Sequence, residues 1–184
     1  MRFLLTTIPE RGHLNPLVGV AQHLEACGHE LAFCAEGDLR EALSAAGLRA
    51  RSYPGAADRR RAEVTAGRAF IERLADAAWL RGWIRRLLVE EVPAQLPALR
   101  AACDDFRPDV IVTDPMLYGP VLVAEERGLP WAGLSSSLNP LTPPSWRCEL
   151  TDTVRWLAAD RARLFSDAGR PAPEFRVCDA MSPY

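Results

Sequence analysis

The chain has 184 residues, 48% of them hydrophobic and 25% charged, and its 24 acidic and 22 basic residues give a formal charge of -2. This composition is typical of one globular domain and excludes a collagen, a coiled coil and a disordered chain. The balanced charge gives no reason to expect nucleic acid or an anionic membrane as a partner. All basic residues are arginine, which excludes lysine-based chemistry such as a Schiff base.

The cysteines predict neither a disulfide framework nor a metal site, because they are scattered and never spaced as Cys-x-x-Cys. They are Cys27, Cys34, Cys103, Cys148 and Cys178. We expect no cofactor. The apolar run at residues 3–8 is too short for a signal peptide, and no stretch of 18 apolar residues occurs, so we expect a soluble, cytoplasmic protein.

The first third of the sequence alternates between strand and helix patterns. Residues 2–7 are predicted as a buried strand. A helix follows, with Asn15 as its N-cap and Pro16 in its first turn. The next predicted elements are a strand at residues 29–35, a helix at 38–46 and a strand at 48–53. This alternation indicates a parallel sheet with right-handed crossovers.

After an arginine-rich stretch at residues 56–61, the rest of the chain again contains helix and strand patterns. The predicted elements are one or two helices over residues 63–92, a helix at 94–106, a strand at 109–113, a helix at 116–127, a strand at 131–134, a polar loop at 135–145 and a helix at 151–166. We therefore predict an α/β fold over residues 1–184, with a doubly wound parallel sheet of at least five strands.

The loop after the first strand, residues 8–16, contains one histidine, His13, just ahead of the predicted helix. This loop has too few glycines for a dinucleotide fingerprint and no Gly-Lys-Ser/Thr ending for a phosphate loop. Ligands of open α/β sheets bind beyond the carboxyl ends of the strands. The positive end of the helix dipole would keep the imidazole neutral and able to accept a proton. Two interpretations stay open: a general base, or a residue that packs against the helix start.

Asp114 ends the fourth predicted strand. In a parallel sheet it opens on the same edge as His13, so its carboxylate is expected to hold the second ring nitrogen. A base with an orienting carboxylate is the arrangement of a catalytic dyad. Because Asp followed by Pro is also a good N-cap and first-turn pair, Asp114 fits a capping role equally well.

Two motifs then resemble a known family. Gly-His-Leu-Asn-Pro-Leu at residues 12–17 precedes a helix that ends in Ala-Cys-Gly-His-Glu-Leu at 26–31. Pro-Asp-Val-Ile-Val-Thr-Asp at residues 108–114 precedes a helix that ends in Gly-Leu-Pro-Trp at 128–131. Over most of its length the chain resembles the N-terminal, acceptor-side domain of nucleotide-sugar-dependent glycosyltransferases with the two-domain GT-B fold. The pattern is most similar to the UDP-glycosyltransferase and macrolide glycosyltransferase type.

The resemblance implies that His13 deprotonates an acceptor hydroxyl and that Asp114 orients His13. Proton removal during attack on the anomeric carbon contributes about 10² to 10⁴ in rate. The nucleoside diphosphate is a good leaving group, so the second carboxylic acid of glycoside hydrolases is not required. One base on the face opposite the leaving group implies inversion at the anomeric carbon.

The resemblance also implies a cleft for a hydrophobic natural product or lipid on this edge of the sheet. Serines after the fifth strand resemble the family's loop near the transferred sugar, with an ordinary polar loop as the alternative. Tryptophans at helical spacing and in the proline-rich loop offer apolar surface, with core packing as the alternative. The predicted substrate-binding residues are Gly12, Asn15, Trp79, Trp83, Ser135, Ser136, Ser137 and Trp146.

A GT-B enzyme binds its nucleotide sugar mainly on a second α/β domain, and the motifs of that domain do not occur in this sequence. The resemblance therefore implies a fragment, an early-terminated product or half of a split enzyme, inactive without a donor domain. We expect the face toward that domain to promote self-association. The alternative function is a non-catalytic binding or regulatory module that retains the acceptor cleft. A flavodoxin-like protein fits the topology but lacks its phosphate loop.

Overall fold

The computed structural model describes residues 1–55, 72–73, 75–114, 117–135, 145, 147 and 149–171. The strands in these residues are β1 (Arg2–Thr7), β2 (Glu30–Ala35), β3 (Arg51–Pro54), β4 (Val110–Thr113) and β5 (Trp131–Gly133). They form one parallel sheet in the order β3-β2-β1-β4-β5. The predicted fold class, an α/β domain with a doubly wound parallel sheet, is confirmed.

The centre of the sheet is buried on both faces because β1 carries apolar residues in succession. Leu4 and Leu5 are completely buried, and Leu4 pairs with Ala32 of β2 and with Ile111 of β4. Such uninterrupted apolar runs are typical of parallel strands that are covered on both sides. The carboxyl ends of the strands lie along one edge of the sheet, which we call the carboxyl edge.

Helices cover both faces of the sheet. On one face lie α1 (Arg11–Ala26) and α2 (Arg40–Ala45), and on the other lie α4 (Val92–Phe106) and α5 (Tyr118–Arg127), after α3 (Ala77–Arg85) and a π-helical segment (Arg86–Glu90). Leu5, Phe33 and Val112 pack toward α1 and α2, whereas Leu4, Ala32 and Ile111 pack toward α4 and α5. The alternation of strand side chains between the two faces thus creates two separate cores.

A third apolar cluster joins the remaining helices to α5. These helices are α6 (Glu149–Trp156) and α7 (Ala158–Asp167). The cluster contains Ile84, Leu87, Leu122, Leu157 and Phe165. None of the helices that the structure describes combines the length and apolar character needed to span a bilayer.

Helix α1 begins earlier than the sequence predicts. Glu10 occupies the N-cap position, and its carbonyl accepts the backbone N–H of His13 at 2.9 Å. The predicted N-cap role of Asn15 is therefore wrong, since Asn15 lies exposed inside the helix. Pro16 also lies inside α1, where it lacks the N–H of a helical hydrogen bond. His13 consequently belongs to the first turn of α1 rather than to the preceding loop.

Two other helices differ from the prediction. The predicted helix at 151–166 is divided between α6 and α7 at Leu157, which is the N-cap of α7 and is buried in the third cluster. Helix α4 starts two residues early and includes Pro93 and Pro97. Pro93 is tolerated there because it lies in the first turn, where N–H groups have no helical partner. Of the predicted helices over residues 63–92, residues 63–71 and 74 lie outside the described part of the chain.

Candidate active site at the carboxyl edge

The candidate site lies where the sheet changes its winding direction. Strand β1 is paired with β2 on one side and with β4 on the other. The chain after β1 enters α1 on one face, whereas the chain after β4 enters α5 on the opposite face. The crevice between two such strands is the usual ligand site of open α/β sheets.

His13 and Asp114 meet at this crevice. His13 Nδ1 lies 2.7 Å from Asp114 Oδ2, and the Asp114 side chain is 4% exposed while the His13 side chain is 23% exposed. With the Nδ1 proton donated to the carboxylate, the neutral imidazole presents Nε2 as a proton acceptor. This is the arrangement expected of a general base with an orienting carboxylate.

Asp114 is held by the backbone on both sides. Its N–H donates to the Thr6 carbonyl at 3.1 Å, and its own carbonyl accepts the N–H of Leu117 at 3.0 Å. The alternative role of Asp114 as the N-cap of the following helix is wrong, because Leu117 occupies that position in α5. The Asp114 carboxylate is therefore available to His13.

Two groups influence the charge of His13 in opposite directions. The N-terminal end of α1, equivalent to about half a positive charge, disfavours the imidazolium. The carboxylate of Asp114 carries a full negative charge in direct contact and favours the imidazolium. A carboxylate in contact with Nδ1 is placed to stabilise the imidazolium that forms when His13 takes a proton.

A small open depression of about 170 Å³ surrounds the pair. Its lining residues are Thr7, His13, Pro16, Leu17, Asp114 and Leu134. Apart from the pair itself and one hydroxyl, this lining is apolar.

A larger cleft of about 340 Å³, counting space that is open to solvent, lies on the other side of Thr7. The ends of β1 and β2, with Glu36 and Gly55, form one wall. The other wall is formed by Gln95 and Leu99 of α4 together with Leu117 and Pro120. Gln95 is not among the predicted site residues, although a glutamine on the apolar face of a helix is a signal that could have found it.

The other predicted substrate-binding residues are placed as follows. Gly12 and Asn15 are exposed on α1, and Ser135 follows β5 in a partly buried position. Trp79 and Trp83 stack with ring centroids 6.1 Å apart, and Trp83 packs against the third cluster. Neither tryptophan lines either cavity. Ser136, Ser137 and Trp146 lie outside the described residues.

The buried thiols near the cleft are not nucleophiles at neutral pH. Burial raises the pKa of Cys34, which lines the cleft, to about 12 and the pKa of Cys103 to about 11. Both groups therefore stay protonated, whereas a thiol reacts as its thiolate. Within the described part of the chain, no group of three or more His, Cys, Asp and Glu side chains is arranged to hold a metal ion.

The sequence of this chain is similar to those of several known proteins. No family model matches the chain. The chain is 31% identical to L-demethylnoviosyl transferase of Streptomyces niveus over 186 residues, which covers 100% of this chain and 46% of that protein. It is also 31% identical to 4'-demethylrebeccamycin synthase of Lentzea aerocolonigenes over 143 residues, 74% of this chain and 32% of that protein. The chain thus spans less than half the length of these relatives.

Solved structures show the same fold. The spinosyn rhamnosyltransferase SpnG has a TM-score of 0.64 and 20% identity, covering 95% of this chain and 43% of that one. The glycosyltransferase SnogD of Streptomyces nogalater has a TM-score of 0.62 and 21% identity, covering 92% of this chain and 41% of that one.

The sheet order, the two helical layers and the crevice define this protein as a doubly wound α/β domain of the kind found in GT-B structures. By sequence and by fold, the chain is related to the macrolide and antibiotic glycosyltransferases with the GT-B fold. The family resemblance of its two motifs is thereby confirmed.

Proposed function

We propose that residues 1–184 are the acceptor-binding domain of an inverting glycosyltransferase, with His13 as the base and Asp114 as the residue that positions it. The observation that carries this proposal is the 2.7 Å contact between His13 Nδ1 and Asp114 Oδ2 at the carboxyl edge. The identity of 31% to several sugar transferases supports it.

In the proposed reaction, His13 Nε2 takes the proton of an acceptor hydroxyl while the hydroxyl oxygen bonds to the anomeric carbon of the sugar. The bond from that carbon to the diphosphate oxygen breaks, and the nucleoside diphosphate leaves with the electron pair. The Asp114 carboxylate stabilises the imidazolium during this transfer. Attack on the face opposite the leaving group inverts the anomeric carbon.

We propose a nucleotide sugar as the donor and a hydrophobic natural product or lipid as the acceptor. Structural neighbours were solved with thymidine diphosphate, including VinC and SsfS6, and SpnG was solved with spinosyn aglycone. These neighbours favour a thymidine diphosphate sugar, bound mainly by residues outside this chain. On this proposal the chain alone does not transfer sugar. Its self-association is a separate prediction, which light scattering at high protein concentration tests.

A chimera tests the catalytic role directly. This chain replaces the segment of L-demethylnoviosyl transferase to which it aligns, and the chimera is given a thymidine diphosphate sugar and a panel of phenolic and macrolide alcohols. Mass spectrometry measures the glycoside formed. His13→Ala is expected to lower the rate by about 10²-fold or more, and Asp114→Asn to lower it less. His23→Ala, an exposed histidine of the same helix, and Asp167→Asn are the matched controls.

Transfer that survives His13→Ala at the rate of the controls contradicts the proposal. Acceptor binding that His13→Ala leaves unchanged, without transfer in the chimera, favours instead the non-catalytic binding or regulatory module.

A further inference from the structure

Gln95 is a buried amide whose donor group is not used by the described part of the protein. The residue lies on α4 and is 9% exposed. Its Nε2 atom is buried and has no hydrogen-bond partner among the described residues. An unsatisfied buried donor is costly, and natural proteins retain few of them. Gln95 is one of the residues that line the larger cleft.

The position of the Gln95 amide is fixed by close packing between α4 and α5. A Cβ atom added at Gly119 of α5 would lie 3.1 Å from Gln95 Oε1 and 3.1 Å from Leu99 Cδ1. The absence of a side chain at Gly119 therefore gives the carboxamide its place between the two helices. Its orientation is set by backbone spacing rather than by a hydrogen bond.

The other polar groups of the cleft do not offer an equivalent donor. Thr6 Oγ1 donates to the Val112 carbonyl at 3.3 Å, and Thr7 Oγ1 donates to the Ile8 carbonyl at 3.0 Å. Both hydroxyls already use their single proton within the protein. Leu99, Leu117 and Pro120 give the same wall an apolar character. Glu36 also lines the cleft, and its carboxylate accepts hydrogen bonds but does not donate them. The cleft thus combines apolar surface with a few polar groups, among which the Gln95 amide is the donor, and such a combination is usual in a small-molecule site.

We propose that Gln95 is a specificity-determining residue, which donates a hydrogen bond to a carbonyl or ether oxygen of the acceptor molecule in this cleft. This inference rests on the proposed function and deepens it. The cleft and the depression at His13 share Thr7, so one ligand can reach both. The preferred acceptors are therefore hydrophobic compounds with two oxygens: a hydroxyl for His13, and a second oxygen that Gln95 selects.

Side-chain amide NMR tests the proposal on the full chain without any sugar transfer. The sequence contains only two glutamines, Gln22 and Gln95, so their NH₂ signals are readily separated. Gln22 is the internal control, because its Nε2 already donates to the Ala46 carbonyl at 2.9 Å. The probes are 1-indanone, an apolar ketone, and indane, the same ring system without the oxygen.

Titration with 1-indanone is expected to move the Gln95 NH₂ signals downfield with saturation and to leave those of Gln22 in place. Indane is expected to bind about five-fold more weakly and without the downfield shift, because a neutral hydrogen bond has about that effect. In Gln95→Met, which keeps the volume and removes the donor, the preference for the ketone is expected to disappear while indane binds as before.

Three results would overturn the proposal: no saturable binding of 1-indanone, binding that leaves the Gln95 signals unmoved, or equal binding of both probes to the unaltered chain. The wild-type titration decides the question even if Gln95→Met does not fold. Failure of the Gln95 proposal is distinguishable from failure of the proposed function. If the chimera shows no effect of His13→Ala, these titrations are unchanged.

Discussion

His13 and Asp114 are 101 positions apart in the chain and in contact through their side chains. The sheet register brings them together, because Thr6 of β1 pairs with Thr113 of β4. The backbone N–H of Asp114 donates to the Thr6 carbonyl, and the first turn of α1 begins a few residues beyond the end of β1. The contact therefore depends on the pairing of two strands that are far apart in sequence.

This contact predicts the tautomer of His13. At alkaline pH, once the imidazole is neutral, its proton is expected to stay on Nδ1 because Asp114 accepts it. Long-range ¹H–¹⁵N correlation spectra distinguish the two ring nitrogens and measure the tautomer directly. Asp114→Ala is expected to return His13 to the tautomer of the exposed His23, which is the control in the same spectrum. An Nε2–H tautomer in the unaltered chain would contradict the assignment of Asp114 as the positioning residue.

The ion pair between α4 and α5 predicts a pH dependence of stability. Hydrogen bonds from Arg100 to Glu126, at 2.6 and 3.0 Å, lower the pKa of Glu126 from its usual 4.5. Because the pKa is lower in the folded state, this contribution is present above pH 4.5 and is lost as the pH falls through the folded-state pKa. Arg100→Gln is expected to lower the free energy of unfolding at pH 7 by about 0.5 kcal/mol.

Urea unfolding at pH 7 and at pH 3 measures this difference. At pH 3 the effect of Arg100→Gln is expected to be smaller than at pH 7. Arg11→Gln, at an exposed arginine in the first turn of α1, is the control. It removes a positive charge from the positive end of a helix and so should not lower the stability at either pH. An effect of Arg100→Gln that grows as the pH falls would show that the sign is wrong.

Much of the sheet follows from local sequence patterns. The successive apolar residues of β1 and β4 indicate strands buried on both faces, and their alternation with helices indicates parallel pairing. Parallel pairing in turn places His13 and Asp114 on the same edge. The sequence does not show that β1 and β4 are immediate neighbours, because strand order depends on packing between distant segments.

The start of α1 and the role of Gln95 could not be predicted in the same way. A Ser, Thr, Asp or Asn before Pro is the usual start of a helix, yet α1 includes both Asn15 and Pro16 because its first turn is held by the Glu10 carbonyl. The position of Gln95 depends on how closely α4 approaches α5 at Gly119. This spacing is a tertiary property that no local pattern contains.

Burial predicts that the cysteines differ strongly in reactivity. At pH 8, Cys27 is exposed and should react readily with iodoacetamide. Cys34 and Cys103 should react at least about 10²-fold more slowly than Cys27. Burial raises the pKa of their thiols to about 12 and about 11, so little of either thiol is present as thiolate. Peptide mass mapping resolves each site, and labelling in urea should abolish the difference. Equal labelling of Cys34 and Cys27 in the folded protein would contradict the burial of Cys34.

Gly55 is expected to be essential for the shape of the larger cleft. Its N–H donates to the Ala35 carbonyl at 2.6 Å, and a Cβ atom added at Gly55 would lie 2.8 Å from that same oxygen. Because backbone atoms cannot move aside as a flexible side chain can, Gly55→Ala is expected to destabilise the protein by about 1 to 3 kcal/mol. Thermal and urea unfolding measure the loss.

Gly12→Ala is the matched control for that substitution. A Cβ atom at Gly12 would meet nothing within 4 Å, and alanine is favoured over glycine in a helix by about 1 kcal/mol. Gly12→Ala should therefore leave stability unchanged or raise it, and the contrast with Gly55→Ala separates steric crowding from the general effect of replacing glycine. If Gly55→Ala is as stable as Gly12→Ala, Gly55 does not lie against the Ala35 carbonyl. The cleft wall opposite Gln95, to which Gly55 belongs, would then be more open than the structure describes.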